Sequence, residues 1–307
     1  MTQAQIDPQA AAPAANMPLA AAWMIGAVIA FSAMAIAGRE ASVSLDTFEL
    51  MTYRSMIGIV LVLAIARLTG TLHQIRRNRL RTHIARNIAH FTGQNLWFWA
   101  VSVIPLAQVF ALEFTSPLWV MVLAALFLGE RLTWVKAAAG LLGFIGILIV
   151  VRPGSAPISH GMGAAALAAF CFAVTAIFTK RLTRDQSITC ILFWLTAIQL
   201  VLGLAFCLYD GDMALPSATS APWVVVIAIG GLTAHFCITS ALALAPASVV
   251  MPIDFVRLPL IAVLGVALYS EPLELAVLAG AVLIFAANYI NVVIEHRRSR
   301  VSTVTKL

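Results

Sequence analysis

The chain has 307 residues, of which 62% are hydrophobic and only 10% are charged, and its mean hydropathy is +0.97. A soluble domain of this length needs a polar surface that such a composition cannot supply, so a water-soluble globular protein is excluded. The formal net charge of +6 does not indicate a nucleic-acid partner. The most basic loop, residues 76–86, borders apolar segments and contains no Phe, Tyr or Trp to stack on a base.

Apolar stretches of about 20 residues follow one another along the sequence, and each is long enough to cross a bilayer as a helix. Residues 1–17, rich in Ala, Gln and Pro, are predicted to form a disordered cytoplasmic tail. The pattern then predicts ten transmembrane helices at residues 18–38, 48–66, 86–103, 106–128, 133–151, 161–180, 188–208, 221–243, 247–269 and 275–294. Because barrel strands would alternate in polarity, the expected fold is an all-α integral membrane protein, ending in a basic cytoplasmic tail at residues 295–307.

The distribution of lysine and arginine orients the predicted bundle. If both termini lie on one side, most of the 19 basic residues share that side, including the loop that ends at Arg86. Only Arg39 and Arg152 fall on the opposite side, while Arg54 and Arg257 fall inside spans. Cytoplasmic loops carry the excess of positive charge, so both termini are predicted to be cytoplasmic and the protein to lie in the inner (plasma) membrane.

An internal repeat relates the two halves of the chain. A shift of 141 residues aligns four pairs of equal or similar residues: Pro105 with Pro246, Glu113 with Asp254, Phe114 with Phe255 and Glu130 with Glu271. The first five spans, residues 18–151, are therefore predicted to correspond to the last five, residues 161–294. Five is an odd number, so the second copy enters the membrane in the opposite sense, and a site between inverted repeats can be opened to either side.

Residues 105–154 carry a pattern that resembles the first EamA-type repeat of the drug/metabolite transporter superfamily. That pattern consists of a proline before the fourth helix, a proline within it, a Gly-Glu-Arg turn and a fifth helix with spaced glycines: Pro105, Pro117, Gly129-Glu130-Arg131, Gly140, Gly143 and Gly146. The second copy departs from it, because Ser270-Glu271-Pro272 replaces the turn and Pro259 is shifted by one position.

The resemblance implies ten helices in two inverted five-helix repeats. It also implies a secondary transporter of small organic metabolites, such as amino acids, amino-acid-derived cofactors, vitamins or drug-like solutes. Alternating access, by exchange or with protons as the coupling ion, is the mechanism expected of the family. The implied partners are a small-molecule substrate and the lipid bilayer; substrate identity, direction of transport and oligomeric state stay open.

Two other classes of function are alternatives to a carrier. A membrane-embedded enzyme needs a reactive motif, and the sequence contains no H-E-x-x-H, no Asp-rich diphosphate cluster and no G-x-S-x-G. The four cysteines lack the spacing of metal ligands. No catalytic residue, metal or cofactor is therefore expected. A passive channel would place rings of like charge around a pore, whereas the charges inside these spans are single and of mixed sign.

The third span carries a polar stripe that is a candidate part of a substrate site. His90, Gln94 and Trp97 fall on one face of a helix, and the repeat aligns Gln94 with His235 in the eighth span. Polar stripes do not face lipid, so these side chains either line a cavity or form an interhelical hydrogen-bonded lock. Trp97 either stacks on a flat substrate or anchors the helix at the membrane interface.

Glu113 and Asp254 are the strongest candidates for substrate binding or coupling, together with Arg257 and Arg54. A charged side chain is costly inside a membrane unless it has a partner, a proton or a substrate. The alternative is a structural ion-pair network, and Arg54 could also extend to the interface. A poorly hydrated cavity favours the protonated form of a carboxylate, so Glu113 or Asp254 could exchange a proton, with His235 a weaker candidate.

The ninth span is also expected to be irregular near its charges. Pro252 and Pro259 remove backbone donors on either side of Asp254 and Arg257. The span is therefore predicted to bend there or to free carbonyl groups for a cavity.

Overall fold

The computed structural model describes residues 16–129, 133–152, 159–211 and 213–271, with single positions between 275 and 289. The described part is helical and contains no strand, which confirms the all-α prediction for those residues. Its α-helices are α1 (Met17–Ala41), α2 (Thr47–Leu68), α3 (Leu80–Val103), α4 (Leu106–Glu113), α5 (Ser116–Leu128), α6 (Trp134–Val151), α7 (His160–Leu182), α8 (Ile188–Asp210), α9 (Ala221–Leu244), α10 (Ala247–Ile253) and α11 (Arg257–Tyr269).

Six helical stretches within the described residues are long and apolar enough to cross a membrane, as expected of a multi-pass membrane protein. They are Met17–Ala41, Thr47–Leu68, Leu106–Leu128, His160–Leu182, Ile188–Tyr209 and Ala221–Leu244. Helix α3 is equally long, but its polar stripe makes it less apolar. The terminal tails up to residue 15 and from 295, most of the tenth predicted span, and Glu130 lie outside the described residues.

Two of the predicted spans are broken in the middle. The fourth, predicted as one helix, is divided into α4 and α5 at Phe114–Thr115. The ninth is divided into α10, a 3₁₀ turn at Asp254–Val256 and α11. The interruption expected from the prolines of the ninth span is thus confirmed. The fourth span is long and apolar enough to cross a membrane as predicted, but it contains a break that the sequence did not predict. Pro117 has no N–H to bond the carbonyl of Glu113 one turn earlier, and this favours a break there.

Helices from the two halves of the chain pack mainly on each other. Helix α1 packs on α9, α3 on α7 and α2 on α8, while α4 contacts α11 and α5 contacts α10 and α7. Gly93 lets α3 approach α7 closely, since a Cβ atom there would lie 2.9 Å from the Cβ of Cys171. The space between the halves is therefore lined by both of them.

An end clasp joins α1, α4 and α11 at one end of the bundle. Arg39 and Glu271 form an ion pair, and Glu271 also accepts the N–H of Leu106 at 3.2 Å, at the start of α4. The hydroxyl of Tyr269 donates to Glu40 at 2.9 Å. The end clasp thus ties the ends of three helices together through side chains and one backbone group.

The helix ends at the opposite end of the bundle are held by a lysine. Lys180 donates to the carbonyl groups of Leu242 and Ala245 at 2.5 and 2.7 Å, at the carboxyl end of α9. A cation in this position satisfies terminal carbonyls and favours the negative end of the helix dipole. The 141-residue shift aligns Arg39 with Lys180, so basic residues at equivalent positions bind helix ends on the two sides.

Candidate functional site

A central cavity lies between α1, α3, α7, α9 and the two helix breaks. Seven of the predicted site residues line it, namely His90, Gln94, Trp97, Glu113, His235, Asp254 and Arg257. The polar stripe of α3 and the charges of the fourth and ninth spans therefore meet in one space, although they are far apart in the sequence. Among the described residues, no group of three His, Cys, Asp or Glu side chains is arranged to hold a metal ion.

The acidic cluster consists of Glu113, Asp254 and Arg257, placed at the two helix breaks. One terminal nitrogen of Arg257 donates to Glu113 and, at 2.6 Å, to Asp254 Oδ2. Trp97 donates its indole N–H to the other oxygen of Glu113 at 2.6 Å. Asp254 Oδ1 and Arg257 Nε, both buried, have no hydrogen-bond partner among the described groups. The cluster holds two carboxylates and one guanidinium, so its formal charge is negative when all three are ionised.

Aromatic rings surround the guanidinium of Arg257. Its central carbon lies 5.0 Å from the ring centroid of Phe31, 4.9 Å from that of Phe110 and 5.5 Å from that of Phe114. Such rings attract a cation through their negative faces, and they exclude water. Arg257 is 2% exposed, and its guanidinium is therefore enclosed by these rings and the two carboxylates.

The histidine pair, His90 and His235, joins α3 to α9 in the middle of the cavity. Their Nε2 atoms are 2.8 Å apart, and the amide nitrogen of Gln199 lies 2.6 Å from His90 Nδ1. A contact between two ring nitrogens needs one donor and one acceptor, so the two rings share a single proton at this contact. The rings of Phe31 and Phe172 lie 5.7 and 6.1 Å from His235 and His90, respectively.

The basic pair consists of Arg54 and Arg86. Arg54 donates to Gln94 Oε1 at 3.1 Å and lines a smaller neighbouring space. Arg86 lines the central cavity and donates from Nε to Thr179 Oγ1 at 2.7 Å, with Asn87 Oδ1 at 3.4 Å from Nη1. No carboxylate of the described residues forms an ion pair with either arginine.

The structure corrects three sequence-based interpretations. Arg86 is not a loop charge, because α3 begins at Leu80 and places Arg86 on its second turn, only 1% exposed. Arg54 does not extend to the membrane interface, since it is 6% exposed and bonded to Gln94. Trp97 is not an interface anchor either, because it is 1% exposed in the core beside Glu113.

Several lining residues were missed by sequence reasoning. The 141-residue shift aligns Phe31 with Phe172, and this signal could have identified both rings. Thr179 and Gln199 position Arg86 and His90, respectively. Each is a polar residue in a largely apolar span, a pattern that does not by itself distinguish a cavity residue from a packing residue.

Comparisons with known proteins agree with this architecture. The model of the EamA-like transporter family matches residues 18–152 and again residues 159–293. A riboflavin transporter of Brucella anthropi is 29% identical over 273 residues, which are 86% of this chain and 95% of that protein. An S-adenosylmethionine uptake transporter of Rickettsia felis is 23% identical over 265 residues, covering 86% of this chain and 89% of that protein.

A crystal structure gives the same fold at lower sequence similarity. It superimposes with a TM-score of 0.74 at 19% identity and covers 91% of this chain and 98% of that one. The family match spans nearly all of the chain, in two copies that follow the internal repeat. The protein is therefore a member of the EamA-like transporter family.

Proposed function

We propose that this protein is a secondary transporter that moves a small organic metabolite across the inner membrane by alternating access through the central cavity. The observation that carries the proposal is the cavity itself, since helices from both halves of the chain place buried charges, amides and aromatic rings around it. A membrane protein places ionisable side chains at such depth mainly along a substrate or ion pathway. Transporters of riboflavin and S-adenosylmethionine are among its relatives, which favours vitamins and amino-acid-derived cofactors as the substrate class.

The architecture we propose is ten helices in two inverted repeats, residues 18–151 and 161–294. The packing supports it: exchanging equivalent helices of the two repeats turns the α1–α9 contact into the α7–α3 contact and leaves the α2–α8 contact unchanged. The helix breaks at Glu113 and Asp254 also fall at aligned positions. A two-fold relation of this kind allows one half to rock against the other around a fixed site.

In this mechanism the acidic cluster exchanges its partners during the cycle. Asp254 and Glu113 both bind Arg257. A solute with an amine would compete for the carboxylates, and a solute oxygen would compete for Arg257. The partnerless atoms Asp254 Oδ1 and Arg257 Nε offer one acceptor and one donor for such a competitor.

Proton coupling is part of the proposal. Glu113 and Asp254 would take up and release a proton as the cavity changes its hydration, because a desolvated carboxylate favours its neutral form. His235 is a weaker candidate. Transport in proteoliposomes should then change when a pH gradient is imposed and return to its starting value when an ionophore collapses it. Transport rates that do not change with the pH gradient would exclude proton coupling and favour solute exchange.

The carrier proposal is tested with the purified full chain. A thermal-shift screen against a metabolite panel that includes riboflavin and S-adenosylmethionine identifies ligands, since a compound that binds only the folded state raises its stability. A labelled hit is then followed into proteoliposomes loaded with the unlabelled compound. Accelerated uptake into loaded vesicles supports a carrier. Uptake linear in concentration indicates a channel, chemical conversion indicates an enzyme, and no stabilisation or flux with any compound contradicts the proposal.

The orientation we propose has both termini on the cytoplasmic side, together with the basic segment of residues 76–86 that leads into α3, and residues 210–215 outside. Single cysteines are introduced at Arg77 and at Leu215, both exposed, in a variant whose four native cysteines are replaced. An impermeant thiol reagent applied to intact cells should label Leu215→Cys and spare Arg77→Cys. The opposite labelling would reverse the orientation.

A further inference from the structure

Arg86 is a buried cation in the central cavity whose charge no described group neutralises. Its partners are the hydroxyl of Thr179 and, at longer range, the amide oxygen of Asn87. Both partners are neutral. A guanidinium keeps its proton at physiological pH. An unpaired charge of this kind is costly inside a membrane protein unless water or a ligand solvates it.

The carboxylates that could have neutralised Arg86 bind elsewhere. Glu113 and Asp254 bind Arg257, while the other described carboxylates bonded through their side chains do so near helix ends: Glu40 to Tyr269, Asp46 and Glu49 to backbone N–H groups, Asp185 to Arg79 and Glu271 to Arg39. Arg54, bonded to Gln94, adds a second cation to the same part of the bundle. The buried charge is therefore positive around Arg86 and negative around Arg257.

The side chain of Arg86 is held in place. Thr179 accepts from Arg86 Nε and donates its own proton to the carbonyl of Thr175 at 2.8 Å, so the hydroxyl is fixed by α7. Arg86 itself lines the central cavity. A guanidinium held through Nε still presents its two terminal nitrogens, which match the two oxygens of a carboxylate or phosphate group.

The remaining lining suits the body of a solute between two charged ends. Arg86 and Trp97 are 11 residues apart on α3, so they lie about 16 Å apart along the helix axis. The rings of Phe31 and Phe172 line the cavity beside the histidine pair, between these ends. Aromatic walls favour a flat or apolar group.

We propose that Arg86 forms an oxyanion subsite that binds a carboxylate or phosphate group of the transported solute. The body of the solute would lie between Phe31 and Phe172. The proposal rests on the carrier function proposed above and specifies its substrate class. A solute with one anionic end and a hydrogen-bond donor at the other would match both the basic and the acidic regions. The resulting charge-assisted bonds would supply the opposite charge that Arg86 lacks among the described residues.

The test uses benzoate and its neutral amide, benzamide, as probes that differ in charge but little in shape. Binding to the purified full chain is measured by thermal shift at constant ionic strength, with inorganic phosphate as a separate arm. Benzoate should bind the unaltered protein at least about tenfold more tightly than benzamide, as expected for a hydrogen-bonded charge pair. Arg86→Gln should remove this preference, whereas Arg81→Gln, an exposed arginine on the same helix, should retain it.

Two further comparisons keep the test decisive. Arg86→Lys retains the charge but not the paired donors, so it should keep part of the benzoate preference even if Arg86→Gln does not fold. Phosphate that competes with benzoate would identify a phosphate-bearing solute, and phosphate without effect would identify a carboxylate. Equal binding of benzoate and benzamide to the unaltered protein, or a full preference in Arg86→Gln, would overturn the subsite. If Arg86→Gln still transports a neutral compound identified by thermal shift, the carrier function would be supported without the oxyanion subsite.

Discussion

Arg257 and Arg86 are the same residue type at similar burial in one cavity, yet their surroundings differ. Arg257 contacts two carboxylates and three aromatic rings, whereas Arg86 contacts a hydroxyl and an amide. The first charge is neutralised by two carboxylates, whereas the second has no carboxylate partner among the described residues. Burial of a charge in a membrane protein therefore says little about its role until its partners are known.

The difference between the two arginines is tested most directly by replacing each of them in turn. Arg257→Gln leaves the carboxylates of Glu113 and Asp254 facing each other without a cation. Breaking a buried ion pair in this way lowers the free energy of unfolding by about 3–5 kcal/mol. Arg86→Gln removes an unpaired charge and should change stability little or raise it. Thermal unfolding of the two variants in detergent measures the difference. Equal losses would mean that both arginines are structurally paired.

Removal of one carboxylate should affect transport more than folding. Asp254→Asn leaves Arg257 paired with Glu113 and makes the cluster formally neutral, so the amount of folded protein should stay near normal. Transport of a thermal-shift hit should fall by about tenfold or more if Asp254 binds solute or a proton. Abundance and counterflow are measured together.

A charge swap provides the control for Asp254→Asn. If Asp254 and Arg257 only lock helices, exchanging them should restore both abundance and transport. If they are functional, the swap should restore abundance at most. Normal transport by well-folded single variants at both positions would contradict a functional role.

The histidine pair lies between the two regions and should have a smaller effect. His235→Gln keeps a polar side chain but removes a titratable ring, and losing the bond to His90 should lower counterflow at equal pH by about fivefold or less. If the pair carries protons, the response to a pH gradient should disappear as well. Thr239→Val is a matched control one turn further along α9, because the buried Thr239 hydroxyl has no described partner. An equal effect of both changes would reflect packing.

The smallest expected effect concerns the support of the basic pair. A Cβ atom at Gly231 would lie 2.7 Å from Arg54 Nε, whereas one at Gly163 would meet no atom within 4 Å. Gly231→Ala should displace Arg54 from Gln94 at a cost of about 1 kcal/mol, while Gly163→Ala should be neutral or slightly stabilising. Thermal unfolding measures both. No difference would show that Arg54 adapts without loss.

Much of the membrane fold followed from hydropathy and the repeat, because transmembrane helices need long apolar segments whatever their contacts. The break after Glu113 was missed, since one proline in an apolar span does not by itself show which carbonyl is released. Arg86 was missed for a different reason. The sequence places it beside a basic loop, and only the start of α3 at Leu80 brings it into the cavity. The ion pair between Arg257 and Glu113 joins residues 144 positions apart in the sequence. It depends on tertiary packing, which no local sequence pattern encodes.

The paired helix breaks have a mechanical consequence. An unbroken helix tilts as a rod, so movement at one membrane face forces movement at the other. Here α4 contacts α11 and α5 contacts α10, and Arg257 bridges the two breaks. Each pair of half-helices can therefore shift while the other stays still. In the carrier proposed above, such a joint would permit an intermediate in which the solute is sealed from both faces at once. Spin labels on α5 and on α11, each paired with a second label on a helix without a break, would detect it as two distance changes that occur separately.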